Sequence, residues 1–369
     1  MSNKDDVYCN NKVEFATEAI VVSDNELATK VLRSNSFKVV DLHGYLNELS
    51  EASGFSFKRL LQFVSLSPFF NEGKEHKDLR RIISLPFSKD NLDHWKIYFD
   101  EELECLNNTV AQYEKLDLVE YNFRLASKLI RPLVLGLTKG LPDDFERRLY
   151  NFQKLVEPLL SIRELLHLES EIEYLFSHMS YAIKSVDTFI PNSLPDLLGT
   201  DFSEIMSEEE MVILLLVVYG AKSPLIQTLS NIFLNVIGDK TSSGKADKAP
   251  DSDKFTDEIN SMIFRSAALL HIHRVATEPF ECEGLSVAKG DYILLRTRSP
   301  FSSNCPSQKG LGFGYQNHYC SGALVAKTII SRALPALLER FPNMAVESFS
   351  YDSSIHTAQA PSSLKVKLR

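Results

Sequence analysis

Cysteine is scarce in this chain and poorly arranged for crosslinking. Five occur among 369 residues, at Cys9, Cys105, Cys282, Cys305 and Cys320, odd in number and without Cys-x-x-Cys spacing. That pattern argues against a disulfide framework and a structural zinc site. Basic residues are outnumbered, 40 Lys and Arg against 49 Asp and Glu, and the net charge of −9 gives no reason to expect nucleic acid as a partner. No window approaches eighteen consecutive apolar residues, so no membrane span is expected. The polar opening Met1-Ser-Asn-Lys-Asp-Asp lacks the apolar core of a signal peptide, which points to the cytoplasm. There is no internal repeat. What remains is ordinary for a globular protein: 44% hydrophobic and 24% charged residues, with length enough for one large domain or two smaller ones.

One cysteine stands in an unusual setting. Leu311-Gly-Phe-Gly-Tyr-Gln-Asn-His-Tyr-Cys320-Ser-Gly-Ala-Leu-Val-Ala326 is a glycine-punctuated loop that runs into an apolar helix. Phe313, Gly314 and His318 precede Cys320; Gly322 and Ala326 follow it. A thiolate at such a junction is stabilised by backbone N–H groups and the helix N-terminus. The plainer alternative is a buried structural cysteine.

The stretch resembles the haem-binding loop of the cytochrome P450 family, Phe-Gly-x-Gly-x-His-x-Cys-x-Gly-x-x-Leu-Ala. Gln316 replaces the second glycine and Val325 the leucine. The resemblance extends in order from about residue 18 to 368. A strand at Glu18–Ser23, a helix capped by Asp24 through Arg33 and then Asn35-Ser-Phe37 are similar to the family's entry. His76-Lys-Asp-Leu79-Arg80-Arg81 looks like its His-x-x-Leu-Arg-Arg segment, with His76 and Arg80 four apart on one helical face. Residues 90–190 are helical in pattern, with breaks near Arg131-Pro132, Gly136, residues 141–144 and Pro158; the resemblance makes them the lid over a substrate pocket. Ser207-Glu-Glu-Glu opens the apolar helix that would cross the distal haem face. There Gly220 takes the family's glycine position, but Lys222 and Ser223 stand where an acid and an alcohol usually stand, and Pro224 should kink the helix. A register through Thr228 would lose Gly220. Residues 283–295 read as a hairpin with a Lys-Gly-Asp turn.

The resemblance implies a mostly α fold with small β-sheets and a single P450-like domain over 18–369; the residues themselves read as a flexible arm at 1–17 and, from a Lys-, Asp-, Ser- and Gly-rich composition, a mobile loop at 238–256 where the family usually has a helix. It implies haem b, with Cys320 as iron ligand, His76, Arg80, Arg274 and His318 as propionate partners, and Gly220, Phe313, Gly314 and Gly322 shaping the cofactor site. His271 is a possible substrate contact. Lys222 has three readings: a partner for a substrate carboxylate, a residue turned to solvent while protons arrive by water and Ser223, or a helix-surface residue facing away. The family's Glu-x-x-Arg pair is incomplete, since Met262 stands three before Arg265; Glu258 is two turns away, and Arg296 and Arg298 are the nearest stand-ins for the arginine that completes it. Lys74, Lys77, Arg81, Lys309 and Lys327 could form a basic patch for a ferredoxin or flavodoxin.

The implied function is oxidation of a small-molecule or carrier-bound substrate in specialised (secondary) metabolite biosynthesis, as in antibiotic pathways, by oxygen insertion, desaturation or coupling. Two alternatives are a reductase-independent enzyme that uses peroxide or rearranges its substrate, and a degenerate binder of haem or ligand without turnover.

Overall fold

The computed structural model describes residues 13–15, 19–157, 160–199, 205–243, 252–297, 310–352 and 356–369. The chain enters through β1 (Val13–Phe15) and β2 (Ile20–Val22), then α1 (Asn25–Arg33) and β3 (Phe37–Lys38). Asp24 caps α1 by accepting the Leu27 amide at 2.9 Å, which seats Leu27, Ala28 and Val31 against the sheet. β1 pairs antiparallel with β2, so part of the expected N-terminal arm belongs to the sheet; residues 1–12 and 16–18 lie outside the described residues.

Helices α2 (Leu42–Ser53), α3 (Lys58–Ser65), α4 (Gly73–Ile83) and α5 (Lys89–Val110) follow, then β4 (Lys115–Asp117) and α6 (Leu118–Leu135). The expected break at Arg131-Pro132 does not occur. Pro132 lies inside α6, which ends at Gly136 in the left-handed region (φ 67°). A proline deprives the carbonyl four residues earlier of its partner. Here that carbonyl, of Lys128, accepts the Tyr98 hydroxyl from α5 at 3.2 Å, so the helix continues. Beyond it come α7 (Phe145–Tyr150), α8 (Ile162–Lys184) and α9 (Leu194–Leu198).

The centre of the fold is α10 (Glu208–Gly220) continued by α11 (Ser223–Ser243). Ser207 and Glu210 form a reciprocal capping box at its start. Nine consecutive residues, Met211 to Tyr219, are buried, so α10 has no polar face and must be surrounded. Residues Glu208–Gly238 are long and apolar enough to cross a membrane by length and composition, but 83% of the apolar window is buried inside this fold. α11 and α12 (Ser252–Ser266) reach into the expected 238–256 loop from both ends, and only 244–251 lie outside the described residues.

The chain closes with β5 (His271–Ala276), β6 (Phe280–Cys282), β7 (Leu285–Val287), β8 (Tyr292–Arg296), α13 (Ala323–Arg340), β9 (Ala345–Tyr351) and β10 (Pro361–Lys367). Among the described residues the strands form three sheets, in orders β1-β2-β8-β5-β3, β4-β10-β9 and β6-β7. The expected 283–295 hairpin is therefore divided. β7 pairs with β6, whereas β8 pairs with β5 and, in parallel, with β2. The turn itself is as expected: Gly290 has φ 94° and the Asp291 carboxylate accepts the Ala288 amide.

Leu215, fully buried in α10, reports on this core. Leu215→Ala should lower unfolding stability by about 2–5 kcal/mol, measured by denaturant titration; a loss under about 1 kcal/mol would contradict its enclosed position.

Candidate active site

The cysteine loop is shaped by its own backbone. The Gly314 amide donates to Leu311 O (2.8 Å), His318 to Tyr315 O (3.0 Å) and Cys320 to Phe313 O (2.7 Å). Gly314 has φ 75°, and a Cβ there would lie 2.3 Å from the His318 carbonyl oxygen, so only glycine closes this turn. Gln316 is also left-handed, at φ 47°, without a glycine's freedom. Gly322 precedes the first residue of α13, and Ala326 donates back to it at 2.9 Å.

Cys320 retains accessible surface. Protein nevertheless crowds the thiol enough that burial pushes its pKa up, against the lowering pull of the Gly322 amide and the Arg80 guanidinium. Phe313 packs against the central core, with the Lys327 ammonium 5.5 Å from its ring centre.

Four basic side chains gather beside the loop. His76 is buried in α4; its Nε2 faces Asn317 O at 2.8 Å and its Nδ1 faces Pro68 O at 2.9 Å, tying α4 to the loop. Its ring centre is 4.2 Å from that of His318. His318 Nε2 is buried without a hydrogen bond of good geometry, 3.6 Å from Glu72 Oε1. Burial lowers the His318 pKa, partly opposed by Glu72. Arg274 is buried in β5 and donates to the His273 carbonyl at 2.7 Å. Glu72, which the sequence did not flag, brings a carboxylate near both His318 and Arg274.

The central helix breaks where Pro224 forbids a backbone bond. The orphaned carbonyl four residues earlier is that of Gly220, and it accepts the Ser223 hydroxyl at 3.1 Å. Ser223 and Lys222 are both buried, whereas Ala221 and Pro224 are exposed. The accessible side of the break is thus lined by Ala221 and Pro224. A Cβ on Gly220 would make ordinary contact with Leu149 at 3.5 Å, so this glycine faces α7. Lys222 takes neither a solvent-facing nor a helix-surface place. Its ammonium lies 3.2 Å from Glu146 Oε2 and 3.4 Å from the Tyr219 ring centre.

Comparison with known proteins bears on the fold. No family model matches the chain. A segment of 84 residues is 39% identical to a 2-hydroxy-5-methyl-1-naphthoate 7-hydroxylase of Streptomyces carzinostaticus, covering 19% of this chain and 20% of that protein. The alignment thus spans about a fifth of that curated relative's length. Among solved structures, P450BioI in complex with a hexadec-9Z-enoic acid-ligated acyl carrier protein superposes with a TM-score of 0.79 at 18% identity, over 98% of this chain and 96% of that one. Epothilone B-bound cytochrome P450epoK gives 0.76 at 16%, over 99% and 95%. The fold is that of a cytochrome P450.

A haem fits the P450 frame seen here. A cysteine thiol keeps accessible surface at the start of α13, and the orphaned His318 Nε2 and buried Arg274 lie among groups suited to carboxylates. Other expectations land elsewhere. Met262 packs on the core, and Arg296 stands opposite His271 in the β5–β8 ladder. Arg298 and Lys309 lie outside the described residues. His271 and His273 are neutral at physiological pH, since burial pulls both to about 4; His273 Nδ1 meets the Tyr292 hydroxyl. A cavity of about 290 Å³ lies nearby, between Gln227, Leu270, Tyr351 and Ala358.

Glu146 is the largest omission of the sequence reading. Asp143-Asp-Phe-Glu-Arg-Arg148 has the composition of a solvated surface turn, and no local signal marks its one buried carboxylate. Burial alone would raise the Glu146 pKa, but Lys222 and Arg131 hold it down at about 2. A depressed folded-state pKa contributes stability that is fully present above the unfolded value near 4.5 and is lost as pH falls through about 2. Acid unfolding of the native chain should therefore steepen between about pH 4.5 and 2, and Glu146→Gln should flatten that window while lowering stability at neutral pH. An unchanged acid profile would contradict the pairing. In the loop, Gln316→Gly should raise stability by about 0.5–1 kcal/mol through release of left-handed strain, read as a higher denaturation midpoint.

Proposed function

We propose that this chain is a haem-thiolate oxidative enzyme that binds haem b and acts on a small organic molecule in specialised metabolite biosynthesis. The observation that carries the reading is Cys320, placed where an apolar helix begins, with accessible surface and faced by Arg80 and the Gly322 amide. Cys320 would ligate the iron as thiolate, and its negative charge would be stabilised by those two groups. Arg80, Arg274 and His318 would hold the two propionates, which would otherwise be costly buried charges, while His76, with both ring nitrogens on backbone carbonyls, would hold α4 to the loop rather than take the propionate expected of it. Bound haem would supply an iron centre able to activate oxygen or peroxide toward an unreactive carbon.

The chain's other residues confine that chemistry. Phe313, Gly314 and Gly322 shape the loop beneath the cofactor, while α7, α8 and the central helix exclude water from above. A carrier-bound substrate stands beside a free one because a structural neighbour was solved with an acyl group on its carrier protein. Lys77, Lys74 and Arg81 on the exposed side of α4, with Lys327 on α13, would receive an acidic ferredoxin or flavodoxin; Lys74 and Arg81 also lie near Asp78.

A specific observation favours the reductase-independent variant of this reading. The Ser223 hydroxyl is committed to the Gly220 carbonyl and Lys222 to Glu146, so neither is free to pass protons to oxygen in the manner of an acid–alcohol pair.

Purified protein reconstituted with haem should give the red-shifted ferrous–CO Soret band of thiolate ligation. Cys320→Ser should abolish that band while leaving the circular dichroism unchanged. A native protein without the band would refute the assignment. Turnover with peroxide but none with ferredoxin, reductase and NADPH would select the variant; the reverse result would select the reductase-dependent form.

A further inference from the structure

Three charges meet at the core of the helical region. Arg131 comes from α6, Glu146 from α7 and Lys222 from the junction of α10 and α11. Glu146 is 4% exposed and Lys222 3%. One Glu146 oxygen accepts from Arg131 Nε at 2.8 Å and again from its terminal nitrogen; the other lies 3.2 Å from Lys222 Nζ. The Ser127 and Tyr219 hydroxyls face the same carboxylate. Buried charges of this kind are costly unless paired, and removing one partner strands the other. The single carboxylate between two cations therefore ties three helical elements together.

The clasp sits where the central helix is locally weakest. Pro224 has no amide hydrogen, and Lys222 donates to Tyr219 O, three residues back, at 3.3 Å. Ala221 still donates to Val217 O at 3.2 Å, and Lys222 O accepts from Leu225 at 3.0 Å and Ile226 at 3.2 Å, so the break is a bonded turn that the buried Lys222 contact reinforces. The side chain of residue 222 is the one drawn into the protein. With it fixed, Ala221 and Pro224 are the residues that remain exposed. α7 also lies against Gly220 through Leu149.

We propose that Glu146 and Lys222 are positioning residues for the iron side of the pocket: their ion pair sets which residues of the central-helix break face the reacting space and couples the break to α7. The inference rests on the haem-thiolate reading above for its functional meaning. The coupling itself does not need bound haem. Glu146 touches neither substrate nor cofactor in this account; it acts through Lys222.

The test uses the full chain with Lys222→Met, Glu146→Gln and the double variant carrying both substitutions. Amide hydrogen exchange reads the coupling directly. Glu146→Gln should speed exchange at residues 222, 225 and 226 by about tenfold, and Lys222→Met should do the same within α7, because coupling between two sites is reciprocal. The double variant should lose no more protection than the worse single variant, since either change alone already breaks the pair. In haem-loaded protein, imidazole serves as a probe that enters beside the iron. Its Kd from the Soret shift should change by at least about threefold in each single variant and by no more in the double variant. Local loosening confined to the substituted element, or single variants that lose thermal stability with unchanged imidazole affinity, would overturn the proposal. A native protein without thiolate-type spectra but with reciprocal exchange effects would instead refute the haem-thiolate reading and leave the coupling standing.

Discussion

The 2.7 Å hydrogen bond from the Cys320 amide to the Phe313 carbonyl closes the loop on which the candidate site depends. It brings the cysteine back beneath Phe313 and delivers it to the start of α13. The loop tolerates little else: Gly314 cannot carry a Cβ, and His76 reaches across from α4 to the Asn317 carbonyl. Once the loop is closed, the thiol lies near Arg80, and His318 lies beside His76 and Glu72. One backbone bond thereby assembles groups from α4 and the loop, with Arg274 of β5 nearby, into a common site.

Departures from an expected motif have different structural meanings here. Gln316 occupies a glycine position, yet the backbone keeps the left-handed turn, so the altered residue bears strain and the shape survives. Lys222 occupies an acid position and changes the arrangement itself. A lysine beside the break would carry an uncompensated buried charge, and it turns instead to the carboxylate of Glu146. Burial still pulls its pKa down to about 8 against the attraction of that carboxylate, and the nearby Arg131 adds a smaller lowering.

The two helical prolines show why local rules have limited reach. Pro132 and Pro224 each free a carbonyl four residues upstream. Tyr98, from another helix, satisfies the first, and α6 runs on. Ser223, the immediate neighbour, satisfies the second, and the helix breaks. Sequence spacing cannot distinguish these outcomes, since the rescuing hydroxyl of Tyr98 lies 30 residues from the carbonyl it meets.

The sequence by itself determined the cysteine loop, the α1 cap, the capping box of the central helix and the ordered series of motifs that resembles P450s. These depend on residues close in the chain, where side-chain chemistry and backbone geometry act over a few positions. Tertiary structure alone decided the pairing of β7 with β6 and of β8 with β5, the continuation of α6 through Pro132, and the burial of Glu146 against Lys222. Each of those is a contact between segments remote in sequence, and its energy comes from desolvation and pairing that exist only once the elements have packed.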